Sequence, residues 1–198
     1  MNNKITKSQI RQRIRLDRNL LSELDVAGAG EQLSAQLSKH LIIQQGKKVG
    51  CFLSFDGEIC TKQTLSLINQ LGAHCYLPKL RPYKPNRLWF MPYDSSVPMT
   101  NNRFGIAEVN LPVSQAIAVS KLDVVLLPLV AFDLKGNRLG MGGGFYDATF
   151  SHLRSNKNRP AFIGLAYELQ KLESLPSDSW DLPLDGVCTE SGFYQFTR

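Results

Sequence analysis

The chain has 198 residues, 43% hydrophobic and 20% charged, which suits one soluble domain with a real core. No apolar run approaches the roughly 18 residues of a membrane span, and the N-terminus lacks the apolar centre of an export signal, so a cytoplasmic protein is expected. A net charge of +6 implies anionic partners without choosing among nucleic acid, nucleotides and acidic metabolites.

The chain opens with helical periodicity. Ile10, Ile14, Leu21 and Leu24 recur on one face, and Thr6 with Gln9 has the form of a capping box, predicting a helix over about Lys7 to Glu23. After the loose stretch "DVAGAG", Leu33, Leu37 and Leu41 predict a second helix from about Glu31 to Gln44. A strand over Lys48 to Phe55, a helix over Thr61 to Leu71 and a strand over Cys75 to Leu80 make a βαβ unit with parallel strands. Arg87 to Tyr93 reads as another strand. The Pro-, Gly- and Asn-rich "SSVPMTNNRFGIAEVNLPVS" reads as an irregular surface segment.

An apolar strand over Leu122 to Leu127 then leads to a glycine turn and a helix on which Tyr146, Phe150 and Leu153 share a face. A strand over Ala161 to Tyr167 completes a second βαβ unit, and the tail suggests a turn with one or two short strands. No repeat or linker divides the chain. The expected architecture is a single α/β domain over residues 1–198, with a mostly parallel open sheet flanked by helices, Rossmann-like in plan.

Chemistry concentrates around the glycines. Gly140, Gly142, Gly143 and Gly144 stand between a buried strand and a helix start, where free backbone N–H groups favour anions. Neither the P-loop nor the dinucleotide fingerprint fits, because Gly-Lys-Ser/Thr is missing and Phe145 stands where the latter needs glycine. A tight turn requiring positive φ would account for one or two of the glycines, and an anion site for all four.

Arg138 is either a phosphate clamp or a solvated cation. Asp147 is either a compensator of the helix dipole or a Mg²⁺ ligand. Lys7, Arg11, Arg15 and Arg18 form a stripe along the first helix, which on spacing alone is a solvated face. "PKLRPYKPNRLWF" mixes basic residues with Tyr83 and Trp89, suiting single-stranded nucleic acid, a flat heterocycle with a carboxylate tail, or a charged strand edge. Cys51, Cys60, Cys75 and Cys188 match no metal spacing and read as reduced thiols, and His40, His74 and His152 are scattered.

Taken together, "KSQIR", "FLSFDGEICT", "FGIAE" and "FDLKGNRLGMGGGFYD", supported by "PLDGVCTE", resemble the 5-formyltetrahydrofolate cyclo-ligase family from Lys7 to Glu190. The resemblance implies ATP-dependent conversion of 5-formyltetrahydrofolate to 5,10-methenyltetrahydrofolate, ADP and phosphate, with Mg²⁺. It implies that Lys7, Arg11 and the loop Arg138, Leu139, Gly140, Met141, Gly142, Gly143, Gly144, Phe145 and Tyr146 bind ATP. Arg15 and Arg18 stay on the solvated face. It further implies that Leu53 and Glu58, with Met141 to Phe145, contact the folate. Arg138 and Asp147 are the expected catalytic residues, and Asp147 and Asp185 the magnesium positions, Asp185 through the resemblance alone.

The sequence departs from the family pattern at Phe145, where tyrosine is common, at Cys60, where an acid is common, and at Val109, where proline often follows the glutamate. The competing readings are a basic nucleic-acid-binding protein and an ATP-using paralogue with another small substrate. The leading one expects no nucleic acid and no membrane, leaves the oligomeric state open and prefers a monomer.

Overall fold

The computed structural model describes residues 6–84 and 86–196. Helix α1 (Lys7–Asn19) starts at the expected capping box, with the Thr6 hydroxyl accepting from Gln9 N and the Gln9 side chain accepting from Thr6 N. It ends four residues early. Ser22 and Asp25 form a second capping box that starts α2 (Glu23–Lys39) eight residues before the predicted point.

"DVAGAG" is therefore helical and not loose. Gly30 admits the approach of the next segment, since a Cβ there would lie 2.9 Å from the Cys60 carbonyl oxygen. Breaking the helix at Leu20 also turns Leu24 out to 85% exposure, so it leaves the apolar face assigned to it.

Strand β1 (Lys48–Gly50), α3 (Lys62–Gln70) and β2 (His74–Leu80) form the first βαβ unit, with β1 and β2 parallel. Strand β3 (Leu88–Tyr93) returns antiparallel to β2. The segment read as irregular contains a small hairpin, β4 (Met99–Asn101) with β5 (Ala107–Val109). Strand β6 (Val124–Pro128) is followed by a second small hairpin, β7 (Ala131–Phe132) with β8 (Arg138–Leu139), then by α4 (Phe145–Phe150) and β9 (Ala161–Leu165). Strands β10 (Gly186–Cys188) and β11 (Phe193–Gln195) close the sheet.

The seven-stranded sheet runs β11-β10-β9-β6-β1-β2-β3. Its central pairings are parallel and its two edge pairings antiparallel, so the expected mostly parallel α/β sheet is present. Strand β6 is buried on both faces, which explains its unbroken apolar run. Val124 and Leu126 pack with Leu33, Leu37 and Ile68 of the helices on one face, while Val125 and Leu127 pack with Phe150 and Phe162 on the other. From β1 the chain steps outward to β2 and β3, then crosses back to β6 on the other side of β1. Such a switch point leaves a crevice beyond the carboxyl ends of β1 and β6.

Candidate active site

A cavity of about 900 Å³ occupies that crevice. Its wall includes Lys7, Arg11, Leu53, Glu58 and the whole stretch 138–147, every expected site residue except Asp185. Three chain segments bring them together. The loop after β1 is closed by Ser54 and Thr61: the Ser54 hydroxyl donates to Ile59 O at 2.7 Å and accepts from Thr61 N, while the Thr61 hydroxyl donates to Phe52 O at 2.7 Å. Leu53, Phe55 and Glu58 are thereby presented to the cavity.

The β7–β8 hairpin is set by Asp133, a fully buried carboxylate that accepts from Lys135 N, Asn137 N, Asn137 Nδ2 and Leu175 N. These donors offset the cost of burying its charge, and they aim Arg138 at the cavity. Helix α1 docks on the same hairpin by burying Ile10 and Ile14 against Val130, Ala131 and Leu139. That contact carries Lys7 and Arg11 to the glycine loop. Arg11 Nε donates to Gly140 O at 2.8 Å, and a Cβ on Gly142 would lie 3.6 Å from its guanidinium carbon.

The glycines divide by physical need. Gly142 (φ +106°) and Gly144 (φ +63°) occupy the left-handed region that other residues avoid. A Cβ on Gly143 would meet the Phe145 ring at 2.7 Å, whereas one on Gly140 would have ordinary contact, 3.7 Å from Arg138 Nη1. The fold thus accounts for three and gives no steric reason for Gly140. Helix α4 has only six residues, so little of the anion preference comes from its dipole. Lys7, Arg11 and Arg138 bring three cationic side chains to the same wall, Lys7 paired with Asp178 and Asp181 and Arg138 with Asp147.

Arg138 Nη2 donates to Asp147 Oδ1 at 2.6 Å, and the same oxygen accepts from Leu182 N at 2.7 Å. The Arg138 side chain is 5% exposed and its Nε lacks a partner. Lys7 pairs with Asp178 at 2.7 Å and Asp181 at 3.4 Å, and the Asp178 hydrogen bond chiefly holds its pKa above the usual value. Burial pushes the Glu58 carboxyl up to about 7, against the opposing pull of the Phe55 N–H and Arg18. Tyr146, also desolvated and within the field of Glu58, has its phenol shifted up.

Several assignments change. Arg18 is no solvated cation: it is 3% exposed beside the Glu58 turn. Arg15, paired with Asp56 at 2.9 Å, stays half-exposed as expected. Asp185 is gripped by Arg159, Nη1 to Oδ2 at 2.6 Å and Nη2 to Oδ1 at 2.7 Å, and also accepts from Phe162 N. Tyr83 points to solvent at 95% exposure, and Trp89 lies under the Arg81 guanidinium, so neither lines the cavity.

Of the basic stretch that suited nucleic acid, Lys79 turns into the fold, its Nζ donating to Val109 O and Leu111 O, while Lys84 stays exposed. Among the described residues no helix is long and apolar enough to cross a membrane.

Sequence reasoning missed Phe104, Glu108 and Trp180. Phe104 meets Phe145 edge-on at 6.3 Å over the glycine loop, giving the departure at Phe145 an apolar partner. Glu108 braces the cavity wall by accepting from Leu80 N and Asn102 Nδ2. Trp180 stands at the cavity 64% exposed. The quoted "FGIAE" was the available signal for the first two. Cys60, whose thiol donates to Gln63 Oε1, and Val109, which is fully buried, lie off the cavity wall.

Residues 3–190 match the model of the 5-formyltetrahydrofolate cyclo-ligase family. The chain is 43% identical over 179 residues to the 5-formyltetrahydrofolate cyclo-ligase of Haemophilus influenzae, covering 90% of this chain and 94% of that one. It is 37% identical to the Escherichia coli enzyme of the same name over 92% of this chain and all of the other. In structure it resembles the 5,10-methenyltetrahydrofolate synthetase of Aquifex aeolicus, with a TM-score of 0.81 and 27% identity over 97% of this chain and 93% of that one. With fold, cavity and sequence in agreement, the chain belongs to the 5-formyltetrahydrofolate cyclo-ligase family.

Proposed function

We propose that this protein, acting as one domain, uses ATP to cyclise 5-formyltetrahydrofolate to 5,10-methenyltetrahydrofolate, releasing ADP and phosphate. The observation that carries the reading is that Lys7 and Arg11, Leu53 and Glu58, and the stretch 138–147 line one cavity at the sheet's switch point. A cavity of about 900 Å³ with a cationic glycine loop and apolar walls suits a phosphate chain beside a heterocycle.

The reaction asks for two things that such a wall supplies. When the formyl oxygen attacks the γ-phosphorus, negative charge spreads over the transferring phosphoryl group, and Lys7, Arg11, Arg138 and the loop amides stabilise it. When N10 then attacks the activated formyl carbon, the phosphate leaves and N10 gives up its proton. Glu58, held at a pKa of about 7 by burial, is the carboxylate suited to receive that proton while it contacts the folate.

Bound with ATP, magnesium would neutralise phosphate charge. Asp147 on the cavity wall fits the one or two carboxylates that magnesium asks of a protein, with phosphate oxygens and water completing its shell. Asp185 would have to exchange the Arg159 fork for the metal before joining it. The four free thiols, three of them buried, support a reducing cytoplasmic setting.

The test is ADP release with and without 5-formyltetrahydrofolate, followed alongside the absorbance of the methenyl product. Folate-dependent release of both is expected. ATP hydrolysis indifferent to folate, or dependent on another carboxylic acid instead, would overturn the reading.

A further inference from the structure

Arg18 is the least satisfied charged group in the described structure. Only 3% exposed, it donates one hydrogen bond, Nη2 to Asp56 O at 3.0 Å, and its Nε and Nη1 are buried without a partner. A guanidinium in such a place costs far more than an apolar side chain of the same length, so packing alone does not explain it.

Its surroundings do. Asp56 and Gly57 both hold left-handed backbone, φ 53° and 71°, and Asp56 does so without glycine's freedom. Arg15 holds the Asp56 carboxylate while Arg18 holds its carbonyl. A Cβ on Gly57 would lie 3.7 Å from Arg18 Cβ and 3.9 Å from its Nε, so the turn rests directly on this side chain. The turn presents Phe55 and Glu58 to the cavity, and Phe55 N donates to Glu58 Oε2 at 3.1 Å. The charged and titratable groups acting on Glu58 are Arg18, Asp56 and Tyr146.

We propose that Arg18 is the positioning residue for Glu58: from the buried side of the Phe55–Glu58 turn it fixes the left-handed Asp56 and supplies the positive charge against which the Glu58 carboxylate is set. Arg18 does not line the cavity and acts only through the turn. The proposal rests on the folate reading above, because it assigns Arg18 to the folate contact and not to the ATP contacts of the same helix.

The experiment compares Arg18→Met and Arg18→Lys with the wild-type enzyme in thermal unfolding and in separate KM measurements for each substrate. Arg18→Met should keep its Tm or gain, because it removes an under-bonded buried charge. Its KM for 5-formyltetrahydrofolate should rise on the order of tenfold or more, with KM for ATP held within about twofold. Arg18→Lys, which keeps charge but has no fork, should fall between. Placed on Glu58→Gln, the Met change should add less than about twofold, because its route is already cut.

Both KM values rising together, or an unchanged folate KM in a folded variant, would overturn the proposal. So would failure of both variants to fold, which makes Arg18 a stability element. A wild-type enzyme without folate-dependent turnover would instead sink the functional reading, and this inference with it.

Discussion

Arg138 and Asp147 meet at 2.6 Å in the wall of the cavity, and the oxygen that joins them also accepts from Leu182 N. One carboxylate thus orients a cation and anchors the chain after the Lys7-binding aspartates, and the proposed magnesium contact would fall to its second oxygen. Asp147→Asn keeps an acceptor for Leu182 but removes the countercharge of Arg138. Expected are a loss of turnover on the order of a hundredfold or more and a stability loss of about 1–2 kcal/mol. Single-turnover kinetics and thermal unfolding of the same preparation check both, and a Tm collapse that accounts for the lost activity would return Asp147 to a structural role.

Asp185 provides the contrast. Held by both guanidinium nitrogens of Arg159, it should show a larger stability effect and a smaller magnesium effect than Asp147 when each is changed to Asn. A magnesium titration of the ATP reaction for both variants separates the two. A stronger magnesium defect in Asp185→Asn would mean that the Arg159 pair opens in the working enzyme.

Glu58 links acidity to both activity and stability. With Glu58 as the proposed acceptor of the N10 proton, kcat/KM for the folate should fall below about pH 7, and Glu58→Gln should abolish that limb along with most turnover. The stability effect has the opposite sense. A carboxyl whose folded pKa is raised from 4.5 to about 7 adds stability below the lower value and loses it as pH climbs through the upper one. Glu58→Gln should therefore raise Tm at about pH 8, by a few degrees for a gain on the order of 2 kcal/mol, and leave it unchanged at about pH 4. Melting curves at the two pH values suffice, and an equal shift at both would contradict the assigned cause.

The glycine loop can be tested position by position. Gly142→Ala forces a side chain into left-handed backbone and should cost about 1–2 kcal/mol. Gly140→Ala meets no obstacle in the fold, so Tm should hold within about 2 °C. If an anion needs the Gly140 backbone, KM for ATP should nevertheless rise. A Gly140→Ala enzyme with unchanged nucleotide affinity would reduce the loop to a turn.

Much of this was legible in the sequence where local signals and burial agree. The apolar run into β6 and the Thr6 box mark their elements because a doubly buried strand and a capped helix each leave a pattern readable over a few residues. Arg18 was misread because its fate depends on Asp56, 38 residues away, which no helical spacing records. The stretch "DVAGAG" looked loose because glycine disfavours helix; its helicity follows from the Ser22–Asp25 cap and from Gly30's packing against Cys60. Tyr83 and Trp89 drew attention by composition, yet a hairpin edge carries them away from the crevice, while Trp180 reaches it through a turn of no clear pattern.

Four of the five cations of α1, all but Arg13, grip four places outside the helix: Asp178 and Asp181, the Gly140 carbonyl, the Asp56 carboxylate and the Asp56 carbonyl. The helix itself docks on only a small apolar cluster, and its first grip spans 171 residues of sequence. Such a unit forms late, since long loops must close before it is rewarded, and it opens early. On warming, α1 should detach as one piece while the sheet still stands, so that heat silences the enzyme before it unfolds it, and cooling restores it without refolding the core.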